Sequence, residues 1–150
     1  MPTPQTTPRT TEDAVIVELE LASQPETVFA ALTDPEQLSE WWDGADQWEV
    51  DLRHGGQWRG WGECQGKVSA VHGEYVEIQE PKVLAYTWIT DHGHEPASLV
   101  RWELQPTDLG TRVKLTHSGF GANEQTRKGY VAGWQEVMRD LRQYLRMVSS

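Results

Sequence analysis

Basic residues are scarce in this 150-residue chain: 13 Lys and Arg stand against 23 Asp and Glu, a formal net charge of −10. Nucleic acid and anionic membrane both require a basic face, so neither is expected as a partner. Cysteine is scarcer still. Cys64 stands alone, which excludes an internal disulfide and a cysteine-cluster metal site and makes a reduced, cytoplasmic setting the simplest expectation. No apolar run approaches the roughly 18–20 residues of a membrane-spanning helix, and the start MPTPQTTPRTT has no secretory hydrophobic stretch. Among aromatic residues Phe is the rarest, at two, whereas Trp reaches eight. That excess in an acidic chain is the main lead to function.

Residues 1–13, rich in Thr and Pro, show no apolar periodicity and are expected to form a disordered tail ahead of one domain over 14–150. In AVIVELEL, Val15, Val17, Leu19 and Leu21 alternate with other residues as in a half-buried strand. Two short helices are expected next. Ser23-Gln-Pro-Glu26 has capping-box spacing, and Asp34-Pro35 gives an N-cap followed by a first helical residue, with Asp43-Gly44 as the stop. Residues 23–44 contain no Lys or Arg, so a helix-turn-helix spacing here does not imply DNA binding.

Six strands joined by short links follow, at about 48–53, 57–63, 66–78, 83–90, 98–105 and 111–117. This is the signature of an antiparallel meander rather than a βαβ fold. The chain closes with a long helix over about 124–147, whose expected buried stripe is Tyr130, Trp134, Val137, Leu141, Tyr144 or Leu145, and Val148. The fold class is therefore α+β: a curved sheet of about seven strands in the order β-α-α-β6-α around a long C-terminal helix, with an internal cavity unless large side chains fill it.

Sidedness names the candidate wall of that cavity. Val100, Trp102 and Leu104 alternate with polar residues, as do Val113, Leu115 and His117, so Trp102 and His117 are expected to point inward. The same phase takes in Tyr86 and Trp88, and on the first hairpin Trp48, Val50, Leu52 and Trp58, with Gly60 and Gly62 as inward positions that leave space. Trp134 faces them from the helix. The expected ligand-binding set is thus Trp58, Gly60, Tyr86, Trp88, Trp102, His117 and Trp134, and broad indole faces suit a hydrophobic, aromatic or polycyclic small molecule.

Chemistry-bearing residues are few. His117 has three readings: a structural hydrogen bond to a carbonyl or to Ser118, a bond to a ligand, or general acid/base work. His72 and Glu74 share a strand phase and make a weak acid/base candidate pair if that phase faces the cavity. Asp91-His92-Gly93-His94-Glu95 offers potential ligands from one loop only, so no functional metal is expected, and no cofactor either. Asp51 and Arg59 are expected to pair across the first hairpin on the outer face. Cys64, in a polar turn, carries no sign of a reactive thiolate. Trp61, pointing outward, leaves room for a homodimer interface.

The stretches ALTDPEQLSEWW (31–42), VDLRHGGQWRG (50–60), GEYVEIQEPKVLAYTW (73–88) and LTHSGF (115–120), followed by Gly133-Trp134, carry a resemblance that covers about Val15 to Val148. In this order and spacing the chain resembles the START/SRPBCC helix-grip superfamily, the fold of the birch pollen allergen. Within it, the chain is similar to the branch named after the activator of heat shock protein 90 ATPase. The resemblance implies the helix-grip fold and a cavity, but no shared catalytic set. A small-molecule binding protein is the leading expectation. A cyclase, dehydratase or hydrolase using the same cavity is the alternative, and a chaperone-activator role the lesser one.

Overall fold

The computed structural model describes residues 7–10, 14–42, 45, 47–64, 67–90, 97–119 and 124–149. In chain order the elements are β1 (Thr7–Thr10), β2 (Ala14–Leu21), α1 (Pro25–Thr33), α2 (Pro35–Trp41), β3 (Gln47–Val50) and β4 (Gln57–Cys64). β5 (Lys67–Gln79), β6 (Val83–Thr90), β7 (Ser98–Pro106), β8 (Thr111–Ser118) and α3 (Glu124–Ser149) complete the chain. They form one antiparallel sheet in the order β1-β2-β8-β7-β6-β5-β4-β3. The seven expected strands are present, together with β1.

β1 corrects part of the expected tail. Thr7–Thr10 pairs antiparallel with β2, Thr7 opposite Glu18 and Thr10 opposite Val15. Its cause is local. The outer edge of β2 presents unpaired N–H and C=O groups, and a Thr-rich segment is strand-prone, with Pro8 tolerated at an edge. On β2 itself Val15, Val17, Leu19 and Leu21 are all buried, as the alternation predicts.

α1 and α2 carry the chain from β2 to the opposite edge of the sheet. Asp34 ends α1 and caps α2, its carboxylate accepting the Glu36 N–H at 3.1 Å. Gln24, one residue beyond Ser23, is the N-cap of α1 and makes no side-chain cap bond, while the Ser23 carbonyl accepts the Thr111 hydroxyl at 2.7 Å and ties this turn to β8.

The first hairpin is wider than its His-Gly-Gly signal suggests. β3 ends at Val50, which pairs with Trp58, and Asp51 to Gly56 form the connection, with Gly55 at a φ of 83°. Leu52 consequently lies outside the strand and is exposed. Arg59 pairs across the strands with Glu49, not Asp51, and Asp51 instead holds Arg53 at 2.8 Å.

α3 packs against β2 and buries Trp134, Met138, Leu141 and Leu145. The buried stripe is rotated from expectation: fully buried Met138 takes the central place, while Val137 is only partly buried. Burying a Met or Leu side chain contributes about 1.5–3 kcal/mol, so Met138, Leu141 and Leu145, with the larger Trp134, dock the helix firmly on the sheet. Among the described residues no helix is long and apolar enough to cross a membrane.

Candidate functional site

Seven of the eight tryptophans meet in one cluster between the sheet and the helices. Trp42, at the C-terminal cap of α2, sits 5.3 Å from Trp41, 5.4 Å from Trp48, 6.2 Å from Trp88 and 5.8 Å from Trp134, ring centre to ring centre. Trp58 joins through Trp48 at 6.1 Å and Trp88 at 5.6 Å, and Trp102 through Trp134 at 5.9 Å. Most pairs are tilted or edge-on, the geometry that aromatic quadrupoles favour. Trp61 stands apart with the Arg59 guanidinium 5.0 Å over its ring.

Five of the indole N–H groups in the cluster are anchored. Trp41 donates to the Ala31 carbonyl and Trp48 to the Ala45 carbonyl, both at 2.9 Å, and Trp58 donates to the Thr87 carbonyl at 3.3 Å. Trp102 donates to the Tyr86 hydroxyl at 3.0 Å. Burial pushes the Tyr86 phenol well above its ordinary pKa, so it stays protonated. Trp134 donates to His117 Nδ1 at 2.9 Å. Trp88 differs: its Nε1 is buried with no acceptor, and an orphaned buried donor of this kind costs about 1–3 kcal/mol.

His117 is fully buried, paired on its strand with Val15 and Val100. Because Nδ1 accepts from Trp134, the ring proton resides on Nε2, which donates to Ser98 Oγ at 2.6 Å. Ser98 Oγ lies 3.4 Å from the Trp88 carbonyl, which it can in turn donate to. Burial lowers the His117 pKa to about 3. A neutral ring with both nitrogens engaged is a structural link between α3, β8 and β7, the first of its three readings. The partners are Trp134 and Ser98, however, and not Ser118.

Among the described residues the cluster borders two unequal spaces. Beneath Trp42, enclosed by Trp48, Trp58, Tyr75, Tyr86 and Leu38, lies a cavity of only about 10 Å³, room for no more than one water. On the other side a groove of about 240 Å³ opens between Trp42, Trp88 and the α3 residues Tyr130, Gly133, Trp134, Glu136, Val137 and Asp140. Trp42 and Trp88 line both spaces. They form the partition. Among the described residues the space enclosed beneath Trp42 is thus almost filled, and the larger volume is the groove beside it.

The chain matches, over residues 22–146, the family described as Activator of Hsp90 ATPase homolog 1-like protein. It belongs to that family. Solved structures share the fold. Protein MLL2253 from Mesorhizobium loti is 27% identical with a TM-score of 0.75, over 89% of this chain and 97% of that one. Protein CV1439 from Chromobacterium violaceum is 23% identical with a TM-score of 0.77, over 89% and 96%. CalU16 from Micromonospora echinospora is 22% identical with a TM-score of 0.71, over 95% and 85%. No curated protein matches.

Within this Activator of Hsp90 ATPase homolog 1-like domain, the expected binding residues separate. Trp88 and Trp134 line the groove, and Trp58 and Tyr86 line the small inner cavity. Trp102 is buried completely behind Trp134. Gly60 faces inward but widens nothing. A Cβ there would lie 2.7 Å from Trp48 Cζ3, so the missing side chain is replaced by the Trp48 ring. The pair His72 and Glu74 is corrected outright. β4 sets Arg59 opposite His72 and Gln57 opposite Glu74, on the outer face, while Gly73 and buried Tyr75 take the inner one. Gly73 lies opposite buried Trp58, and only glycine fits there, since a Cβ would lie 1.8 Å from the Thr87 carbonyl oxygen and 2.7 Å from Trp58 Nε1. The three groups an enzyme reading draws on, His117, His72 and Glu74, do not converge. The 91–95 loop lies outside the described residues, as does the side chain of Cys64.

Trp42 and Gly133 are among the groove residues outside the expected binding set. Trp42 is the C-cap of α2, yet it forms the partition. Gly133 is exposed, and a Cβ on it would meet nothing within 4 Å. A glycine inside a helical pattern costs about 1 kcal/mol against alanine, and that cost was the available signal.

Proposed function

We propose that the protein binds a hydrophobic, aromatic small molecule in the groove between α3 and the Trp42–Trp88 partition. The observation that carries this reading is the groove itself: about 240 Å³ faced by three indoles and a phenol, left open by a glycine where any side chain would intrude. Its volume falls just below the roughly 300 Å³ at which drug-sized pockets begin. One or two fused rings is the size it accepts with Trp42 in place. The unpartnered Trp88 Nε1 beside it supports the same reading, because a ligand oxygen reaching past Trp42 would supply the missing acceptor. A fold commonly used for ligand binding is consistent with it.

Gly133→Leu is the direct test, with 1-naphthol as the probe and indole NMR cross-peaks as the readout. The added side chain enters open space and removes a helix glycine, so the fold is retained and stability does not fall. In the wild type the Trp88 and Trp134 indole resonances should shift on titration, and in Gly133→Leu affinity should fall at least about tenfold, the loss expected when a well-packed ring is excluded. Equal binding by the two proteins, or shifts confined to residues away from the groove, would overturn the proposal.

A further inference from the structure

Trp88 is a buried donor without an acceptor in the wall of the groove. The residue is only 9% exposed, its Nε1 is sealed from solvent, and among the described residues nothing accepts its proton. Acceptors on the residues around it are committed elsewhere. His117, whose ring centre lies 5.8 Å from that of Trp88, gives Nδ1 to the Trp134 N–H. Ser98, opposite Trp88 across β6 and β7, is bonded through Oγ to His117 Nε2, and the Thr87 carbonyl takes the Trp58 N–H. Buried donors are almost always paired, and the cluster achieves this for Trp41, Trp48, Trp58, Trp102 and Trp134. The exception falls on an indole that lines both the groove and the inner cavity. A lone water does not account for it. The inner cavity holds only about 10 Å³, and apart from Tyr75 and Tyr86 its wall is leucine, valine and indole, which offers few of the roughly 2–4 polar partners a buried water takes.

Trp42 is the ring placed to move. Among the described residues its side chain makes ring contacts alone, it is partly exposed at the C-cap of α2, and it lines both spaces. Turning it outward breaks no hydrogen bond among these residues and joins the two spaces across Trp88. From this we infer that Trp88 is the specificity-determining residue of the groove and that the ligand is an aromatic carbonyl compound, whose oxygen accepts the Trp88 Nε1–H as Trp42 turns aside. The inference rests on the groove being the binding site and adds the chemical group its occupant carries. A hydrocarbon of the same shape leaves the donor unpaired, so the site discriminates through the bond that it lacks when empty.

Two probes of nearly one shape, 1-acetylnaphthalene and 1-isopropenylnaphthalene, differ in a carbonyl oxygen against a methylene and separate the possibilities. In the wild type the Trp88 Nε1–H resonance should move downfield with the ketone and not with the alkene. By titration calorimetry the preference for ketone over alkene should be about tenfold greater in the wild type than in Trp88→Phe, which keeps a ring and removes the donor. Trp42→Ala, which takes away the partition, should speed association of the ketone and retain that preference. If both probes shift the Trp134 indole resonance but the ketone moves Trp88 Nε1–H no further downfield than the alkene, the carbonyl inference is overturned and the groove reading stands. The same holds if wild type and Trp88→Phe show equal preference. Unchanged or slower association with Trp42→Ala overturns the part given to Trp42. Absence of binding by both probes, with unshifted groove resonances, overturns the groove reading and the carbonyl inference with it.

Discussion

The Trp134–His117–Ser98 chain makes a quantitative demand on pH-dependent stability. In the unfolded chain His117 has an ordinary pKa near 6.5, and in the folded protein burial holds it at about 3. Between those values the unfolded state binds a proton that the native state refuses, so stability is complete above about pH 6.5 and declines as pH falls toward 3. From pH 7 to pH 5 this one ring should remove about 2 kcal/mol, and about 5 kcal/mol by the lower limit, at 1.36 kcal/mol per unit. The assay is urea unfolding at pH 7 and pH 5 for the wild type and for His117→Asn, which keeps an acceptor near the position of Nδ1 for the Trp134 N–H. The variant should be less stable at pH 7 by about 1–3 kcal/mol, because Ser98 loses its donor in a buried site. It should also lose less stability on acidification than the wild type, the difference being the 2 kcal/mol above. All groups other than His117 are common to the two proteins and cancel in the comparison. Imidazole nitrogen NMR on the wild type reads the same claim without a variant: an Nε2–H tautomer that persists to pH 5. A titration midpoint for His117 above pH 5, or parallel loss of stability in both proteins, would refute the assignment.

Gly60→Ala should cost about 1–3 kcal/mol through overpacking, because its Cβ would press to within 2.7–2.9 Å of three atoms of the Trp48 ring, which is itself tethered to the Ala45 carbonyl. In a Trp48→Leu background most of that cost should vanish, and an equal cost in both backgrounds in a double-mutant cycle would show that the ring is not the obstacle. Asp34→Ala should lower stability by about 1 kcal/mol through loss of the α2 cap, seen as a reduced urea midpoint at unchanged slope; an unaltered midpoint would mean that the bond to the Glu36 N–H is not contributing.

The strand pattern was legible because period-2 alternation reports directly on which side of a sheet is dry. Val15, Val17, Val100, Trp102, Leu104, Val113, Leu115 and His117 are all buried where alternation puts them. The Pro35 helix start, its Asp34 cap and the long C-terminal helix were equally readable, since caps and helical periodicity are local. Alternation says nothing about what another element inserts into the space a face leaves. Trp42 comes from a helix cap and Trp48 from an edge strand, and the Trp48 ring stands where Gly60 was expected to leave space. The phase of β5 was left open for a related reason. An inward glycine carries no apolar label, so no local pattern marked Gly73 as the inner position with His72 and Glu74 on the outer face. His117 was placed correctly, but its role depends on Trp134 and Ser98, residues from two other elements that no local pattern connects to it.

The packing of the indoles also governs how this protein responds to light. Excitation absorbed by any ring of the cluster can migrate to neighbours whose centres lie about 5–6 Å away, so emission belongs to the assembly and not to a residue. A quencher seated in the groove would darken tryptophans it never touches, including the deeply buried Trp102, while Trp61, outside the cluster under its Arg59 guanidinium, would respond least. Intrinsic fluorescence can thus reveal occupancy of the groove with amplified sensitivity, and an optical spectrum alone will not say which ring the ligand meets.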